Sequence, residues 1–144
     1  MAAGFTMTGL DELIMDMETA ANLPEEVEDE MLHAKADVVV AAQKKKIRAY
    51  GIYETGKTFA SVKKGKVKIR KGQRVIYITP AGSRSRGKEK ISRTRNAEIL
   101  FVNEFGRRGQ KARPAVRDAN EASAQEATAA VAAVLDRYLQ SKNL

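Results

Sequence analysis

The sequence predicts an α+β domain: a small antiparallel sheet of about four strands packed against two N-terminal helices and a long C-terminal helix. Three observations point there. Apolar residues recur at helical spacing before residue 50, alternate with charged ones between 59 and 79, and return to steps of three and four after Pro114. The turns inside the alternating stretch are too short for the crossover that parallel strands require. The length, 144 residues, suits one domain, which buries roughly two-thirds of its unfolded surface.

The first helix is expected over 9–22. Thr8 and Asp11 have capping-box spacing, and Leu10, Leu13, Ile14, Met17 and Ala21 share one face. Pro24 suits a first helical position, and the acids after it complement the positive end of the helix dipole, so a second helix runs from Pro24 to Ala49. Val27, Met31, Ala34, Val38, Ala41 and Ala42 are its expected inner face, and Tyr50-Gly51 ends it. The helical part is thus 9–49.

Strands are expected at 59–63, 66–70, 74–79 and 97–103, with turns at Gly65 and Gly72. Between the last two, residues 81–96 carry six bases, one acid and almost nothing apolar. Such a segment cannot offset the entropy of ordering itself and reads as a mobile loop within the 59–103 sheet region. The C-terminal helix, 114–141, has a stripe of Val116, Ala119, Ser123, Ala127, Ala130, Val131, Val134 and Tyr138. It is expected to pack across the sheet.

Charge is segregated. Residues 1–43 hold ten acids and one base (net −9), residues 44–113 twenty-two bases and four acids (net +18), and residues 114–144 a net of −1. A basic middle beside an acidic head fits a nucleic-acid surface, self-association of unlike faces, or plain solvated charge. There is no cysteine, so disulfides, thiolate zinc sites and cysteine nucleophiles are excluded. The N-terminus lacks a basic region and turns acidic by Asp11, unlike a signal peptide, and no apolar run nears the about 20 residues of a membrane span. A soluble protein made in the cytoplasm is expected.

Local patterns suggest chemistry that their context does not support. Gly51 to Thr58 matches the phosphate-binding loop pattern letter for letter. A basic segment precedes it in place of a buried strand, and the residues after Thr58 read as alternating, with no helix dipole to hold phosphate. His33, the single histidine, has no second His or any Cys to complete a metal site. Tyr50, Tyr53, Phe59 and Tyr77 lie among bases, which allows base stacking, though strand aromatics more often pack. No acid–base arrangement emerges, so the expectation is a non-enzyme with no cofactor and no metal. The better candidate for a phosphate contact is the loop set Arg84, Arg86, Lys88, Lys90, Arg93 and Arg95, and a loop that orders against a protein partner fits equally well.

Three ordered motifs resemble one family. Met7-Thr8-Gly9-Leu10-Asp11-Glu12-Leu13-Ile14 is similar to an opening Gly-Leu-Asp-Glu-Leu helix. Glu54-Thr55-Gly56-Lys57-Thr58-Phe59-Ala60-Ser61-Val62 resembles an Asp-Thr-Gly-x-Leu-x-x-Ser-Ile element. Phe101-Val102-Asn103-Glu104-Phe105-Gly106, with Ala112-Arg113-Pro114-Ala115, resembles a Val-Glu-Phe-Gly strand and the proline opening a last helix, Asn103 being an insertion into that pattern. The family is that of the tail-completion or head–tail joining proteins of long-tailed bacteriophages. Its landmarks here are Gly9, Leu10, Leu13, Thr55, Gly56, Glu104, Phe105, Gly106 and Pro114. The resemblance implies a virion structural protein without chemistry of its own. It implies a ring, a hexamer in the virion, between a connector or head-closure protein and the tail-tube protein, with genome DNA nearby and no membrane. Thr55-Gly56 would be a helix-to-strand turn. The other expectation is a basic nucleic-acid-binding module.

Overall fold

A computed structural model describes residues 8–52, 56–85 and 93–144 of the chain. Its longest elements are two helices, α2 (Glu25–Ala49) and α5 (Ala115–Ser141), which lie antiparallel along each other. At 1.5 Å per residue they are about 37 and 40 Å long. Their contact is made by small residues: Ala36 on α2, and Ala115, Ala119, Ser123 and Ala127 on α5, are all buried. With nothing larger than a methyl or hydroxyl at these places the helix axes can approach closely. Gln43 Nε2 donates to Asn120 Oδ1 at 3.0 Å near the C-terminal end of α2, and Arg137 pairs with Glu30 towards the other end of the pair.

The ends of α2 follow from its sequence. Glu25, Glu26 and Glu28 occupy its first turn and Lys46 and Arg48 its last, each sign facing the opposite end of the dipole. Pro24 is extended (ψ 147°) and is the residue before the helix, one position earlier than expected. At the C-terminus Gly51 is left-handed (φ +72°), Gly51 N–H donates to Arg48 O and Ile52 N–H to Ile47 O. These two bonds form a Schellman cap, and its apolar pair, Ile47 and Ile52, is the centre of the core. Val62, Leu100 and Ala115 complete that cluster, with Val40, Tyr50, Phe59, Ile78 and Val116 packed on it.

The helix α1 (Thr8–Ala21) precedes α2, and a short helix, α3 (Lys57–Ser61), follows it. Then comes one broken hairpin. β1 (Val62–Lys64) pairs antiparallel with β4 (Ile78–Pro80), and within it β2 (Lys68–Arg70) pairs with β3 (Gln73–Val75). Three residues separate the ladders on one side and two on the other, a one-residue bulge that shifts the register. Lys71 (φ +51°) and Gly72 (φ +75°) form the two-residue turn, whose positive angles match strand twist. Arg74 on β3 fastens this hairpin to the start of α2 through Glu25 (2.7 Å), Glu28 (3.0 Å) and Asp29 (3.3 Å). Lys64 on β1 pairs with Asp37 at 2.7 Å.

Two further strands, β5 (Ser83–Ser85) and β6 (Arg93–Arg95), pair antiparallel, and α4 (Asn96–Phe105) leads to α5. The architecture is α+β. Among the described residues the strands form three two-stranded ladders rather than one four-stranded sheet.

Four expectations need correcting. Residues 97–103 are helix, not strand: Asn96, Leu100 and Asn103 turn inward at steps of four and three. A short apolar run such as Ile99-Leu100-Phe101-Val102 fits a helix as well as a strand, and its flanking Ala97, Glu98 and Glu104 are not strand formers. The strand expected at 59–63 is mostly α3, which places a helix after Gly56 where alternation was expected. Residues 81–96 are not wholly loop, since 83–85 and 93–95 pair. Finally, α5 lies along α2, and the buried positions of α2 are Ala36, Gln43 and Ile47, while Ala41 of the expected face is exposed. The expected stripe of α5 does face inward, with Ala119, Ser123, Ala127 and Val134 buried.

Because Ala127 is only 1 % exposed in the tight α2–α5 seam, Ala127→Leu is expected to destabilise the fold by about 1–3 kcal/mol through overpacking. A urea titration would read this as a lower midpoint at unchanged slope.

Candidate functional site

Two neighbouring features make up the candidate site: the corner joining α4 to α5, and the basic hairpin of β5 and β6 that feeds α4. The corner is built around Asn103, the residue inserted into the family-like motif. Its side chain is buried, donating to Ile99 O (2.8 Å) while its Oδ1 accepts from Arg113 Nη2 (2.6 Å) and Gln110 Nε2 (3.2 Å). Arg113 also donates through Nη1 to Tyr50 O at 3.1 Å, tying the corner to the end of α2. One amide side chain therefore meets a helix, a turn and a cation.

Glu104 explains how α5 starts without a cap from its own preceding residue. Its carboxylate accepts from Val116 N–H (2.9 Å) and Arg117 N–H (2.8 Å), two of the unpaired amides of the first turn. A negative charge there also meets the positive end of the dipole. Pro114 immediately precedes α5. Gly106 closes the corner at φ +75°, where a Cβ would lie 2.9 Å from Ala112 N and from Gln110 O. Arg107 and Gln110 bridge across the tight turn that follows, and Arg107, Arg108 and Lys111 are exposed on it.

Across the corner, the Tyr50 hydroxyl donates to Asp118 Oδ2. That bond raises the tyrosine above its ordinary value, helped by desolvation and by the charge of Asp118. The same bond, aided by Arg117, holds Asp118 below the ordinary carboxylate value against a smaller opposing effect of burial.

The residues expected to contact phosphate or a partner are only partly brought together. Arg84 lies on β5 opposite Thr94, and Arg93 and Arg95 on β6 lie opposite Ser85 and Ser83. Arg95 is exposed and is the residue before α4. Arg86, Lys88 and Lys90 lie outside the described residues. Of the family-like landmarks, Gly9 and Leu10 are on α1, Leu13 on the same helix is 53 % exposed, and Thr55 lies outside the described residues. Gly56 is left-handed (φ +69°) and starts α3, so it turns one helix into another before β1 begins. α2, not a buried strand, precedes the phosphate-loop-like segment.

Among the aromatics, Tyr50 and Phe59 pack on the core, whereas Tyr77 is half exposed and accepts from Arg70 Nη1 at 2.7 Å. Tyr53 lies outside the described residues. The sequence reading named Phe105 as a landmark and quoted Phe101 beside it, but missed that the two form an exposed pair. They are 63 % and 70 % exposed, with ring centroids 4.7 Å apart on the outer face of α4. Their spacing of four was the available signal, hidden by reading the segment as a strand. Among the described residues no helix is long and apolar enough to cross a membrane, and no group of three metal-ligating side chains gathers.

Comparison with known protein families, curated proteins and solved structures finds no match to this chain.

Two outcomes are expected at this corner. Gly106→Ala should destabilise by more than about 1 kcal/mol, because the added methyl meets backbone as well as an unfavourable φ, whereas Gly109→Ala, at φ +80° with open space, should cost less. Thermal melts of the two variants test this ordering. For Tyr50→Phe, the stability gap to the parent should be widest near neutral pH. Asp118, lowered in the fold, contributes stability that is lost as pH falls through its folded value; Tyr50, raised, contributes stability that is lost as pH rises through its own. The gap should therefore narrow at both extremes in denaturant titrations across pH.

Proposed function

We propose that this chain is a structural protein of the head–tail junction of a long-tailed bacteriophage or prophage. It acts as a ring, six subunits in the virion, seated between a connector or head-closure protein and the tail-tube protein. It is made in the host cytoplasm, performs no catalysis and uses no cofactor. The observation that carries the reading is the α4–α5 corner. The motif residues Glu104, Gly106 and Pro114 have architectural roles there, as a helix cap, a left-handed turn and a helix entry. Gly56 in the second motif likewise turns the chain at φ +69°. Residues spent on shaping an exposed corner suit a protein whose task is to present surfaces.

Charge supports assembly in a modified form. Four acids of α2 (Glu25, Glu28, Asp29 and Asp37) already engage Arg74 and Lys64 of the same chain. The acids left for a neighbouring copy are chiefly those of α1, and the bases are those of the corner and the β5–β6 hairpin. In the ring that hairpin faces the channel, where genome DNA passes, or the adjoining ring.

The second reading is a basic nucleic-acid-binding module, favoured by the placement of Arg84, Arg93 and Arg95 on one paired hairpin. Replacing Arg84, Arg86, Lys88, Lys90, Arg93 and Arg95 by Gln separates the two. For the junction protein, tail attachment or DNA retention should fall in phage assembly while the isolated chain binds DNA weakly in either form. For the binding module, the unaltered monomer should bind DNA tightly, with a steep salt dependence that the replacements flatten by about one phosphate contact per base removed. If attachment, retention and DNA binding are all unchanged, the hairpin has neither role.

A further inference from the structure

We propose that α1 of one copy docks on the Phe101–Phe105 face of the next, joining copies head to tail. This rests on the self-assembly reading above and names its contact. Among the described residues, two groups of exposed apolar side chains lie on helices. One is the side of α1 carrying Leu13, Ile14 and Met17, which are 53 %, 45 % and 63 % exposed. Their spacing (i, i+1, i+4) places them on one side of the helix. The other is the phenylalanine pair of α4.

The charges around these two surfaces are opposite and unspent. α1 has Glu12, Asp16 and Glu18 exposed and no base, while the turn beside Phe105 exposes Arg107, Arg108 and Lys111. Among the described residues these six side chains have no ion-pair partner. An acidic amphipathic helix and a basic aromatic face complement each other in both apolar surface and charge.

The fold also separates them. α1 joins α2 at its N-terminal end, through Asn22, Leu23 and Pro24, whereas α4 packs by Leu100 against Ile47 and Ile52 at the other end. α2 is about 37 Å long and α1 only about 21 Å, so α1 folded back along its own body stops short of α4. The pairing is therefore between copies. It joins two different faces, the kind of contact that closes into a ring or extends into a filament.

Charge exchange tests this directly. One variant carries Glu12→Lys, Asp16→Lys and Glu18→Lys, so its α1 and its corner are both basic. The other carries Arg107→Glu and Arg108→Glu, so both are acidic. All five positions are exposed, and circular dichroism checks that each variant is folded. In sedimentation velocity at low salt, the parent chain is expected to associate in a concentration-dependent way. Each variant alone should associate at least about tenfold more weakly, and an equimolar mixture should recover association, since each α1 then meets a face of opposite sign. A DNA-, membrane- or partner-binding role for either surface predicts no recovery on mixing.

The proposal is overturned if either variant assembles like the parent, if the mixture stays monomeric, or if the parent is monomeric at every concentration and salt. The first two leave a ring built on another contact. The third refutes contact between free copies, and the junction reading is then judged separately by the tail-attachment experiment.

Discussion

The close approach of α2 and α5 is the constraint on which the rest of the structure depends. It is possible because alanine and serine line the contact: Ala36 on one helix, Ala115, Ala119, Ser123 and Ala127 on the other. Small residues add little apolar area each, but they let two long backbones run side by side over most of their length. That pair gives a small domain a rigid axis about 37–40 Å long. The core cluster, β1, β4 and α4 gather at one end of it, while the β2–β3 hairpin reaches back to the start of α2, where α1 joins.

The core end is held by backbone devices more than by bulk. The Schellman cap at Gly51 brings Ile52 back onto Ile47, and Glu104 caps α5 from a different helix. Asn103 and Arg113 connect these two places through Tyr50 O. The Gly51 cap, Glu104 and Arg113 each satisfy amides or carbonyls that a helix end leaves open. A buried amide such as Asn103 is tolerated because both ends of its side chain have partners.

The charge segregation of the sequence has two fates in the fold. Arg74 draws in three acids from the start of α2, and a shared cation restrained by several carboxylates holds better than separate surface pairs. This half of the complementarity is internal and fastens the β2–β3 hairpin. The other half, on α1 and on the corner turn, stays exposed, α1 joining the start of α2 and the corner being tied to its end. Sequence counting cannot separate the two, because it sees sign and not distance.

The α+β class, the long helices with their ends near Pro24, Gly51 and Pro114, and the turn at Gly72 were legible in the sequence alone, whereas the turn expected at Gly65 is the bulged stretch inside one hairpin. Local rules govern them: period, dipole preference and the need for glycine at positive φ. The inward stripe of α5 was legible for the same reason. Tertiary structure alone decided that Ile99 to Val102 is helical, that α5 lies along α2, and that the alternating stretch forms a bulged hairpin. A short apolar run satisfies either period, and only packing of Leu100 against Ile47 and Ile52 selects one. The candidate site divides in the same way. Its motif residues could be named in order along the chain, but the capping of α5 by Glu104 and the outward turn of Phe101 and Phe105 depend on which neighbours the fold brings within reach.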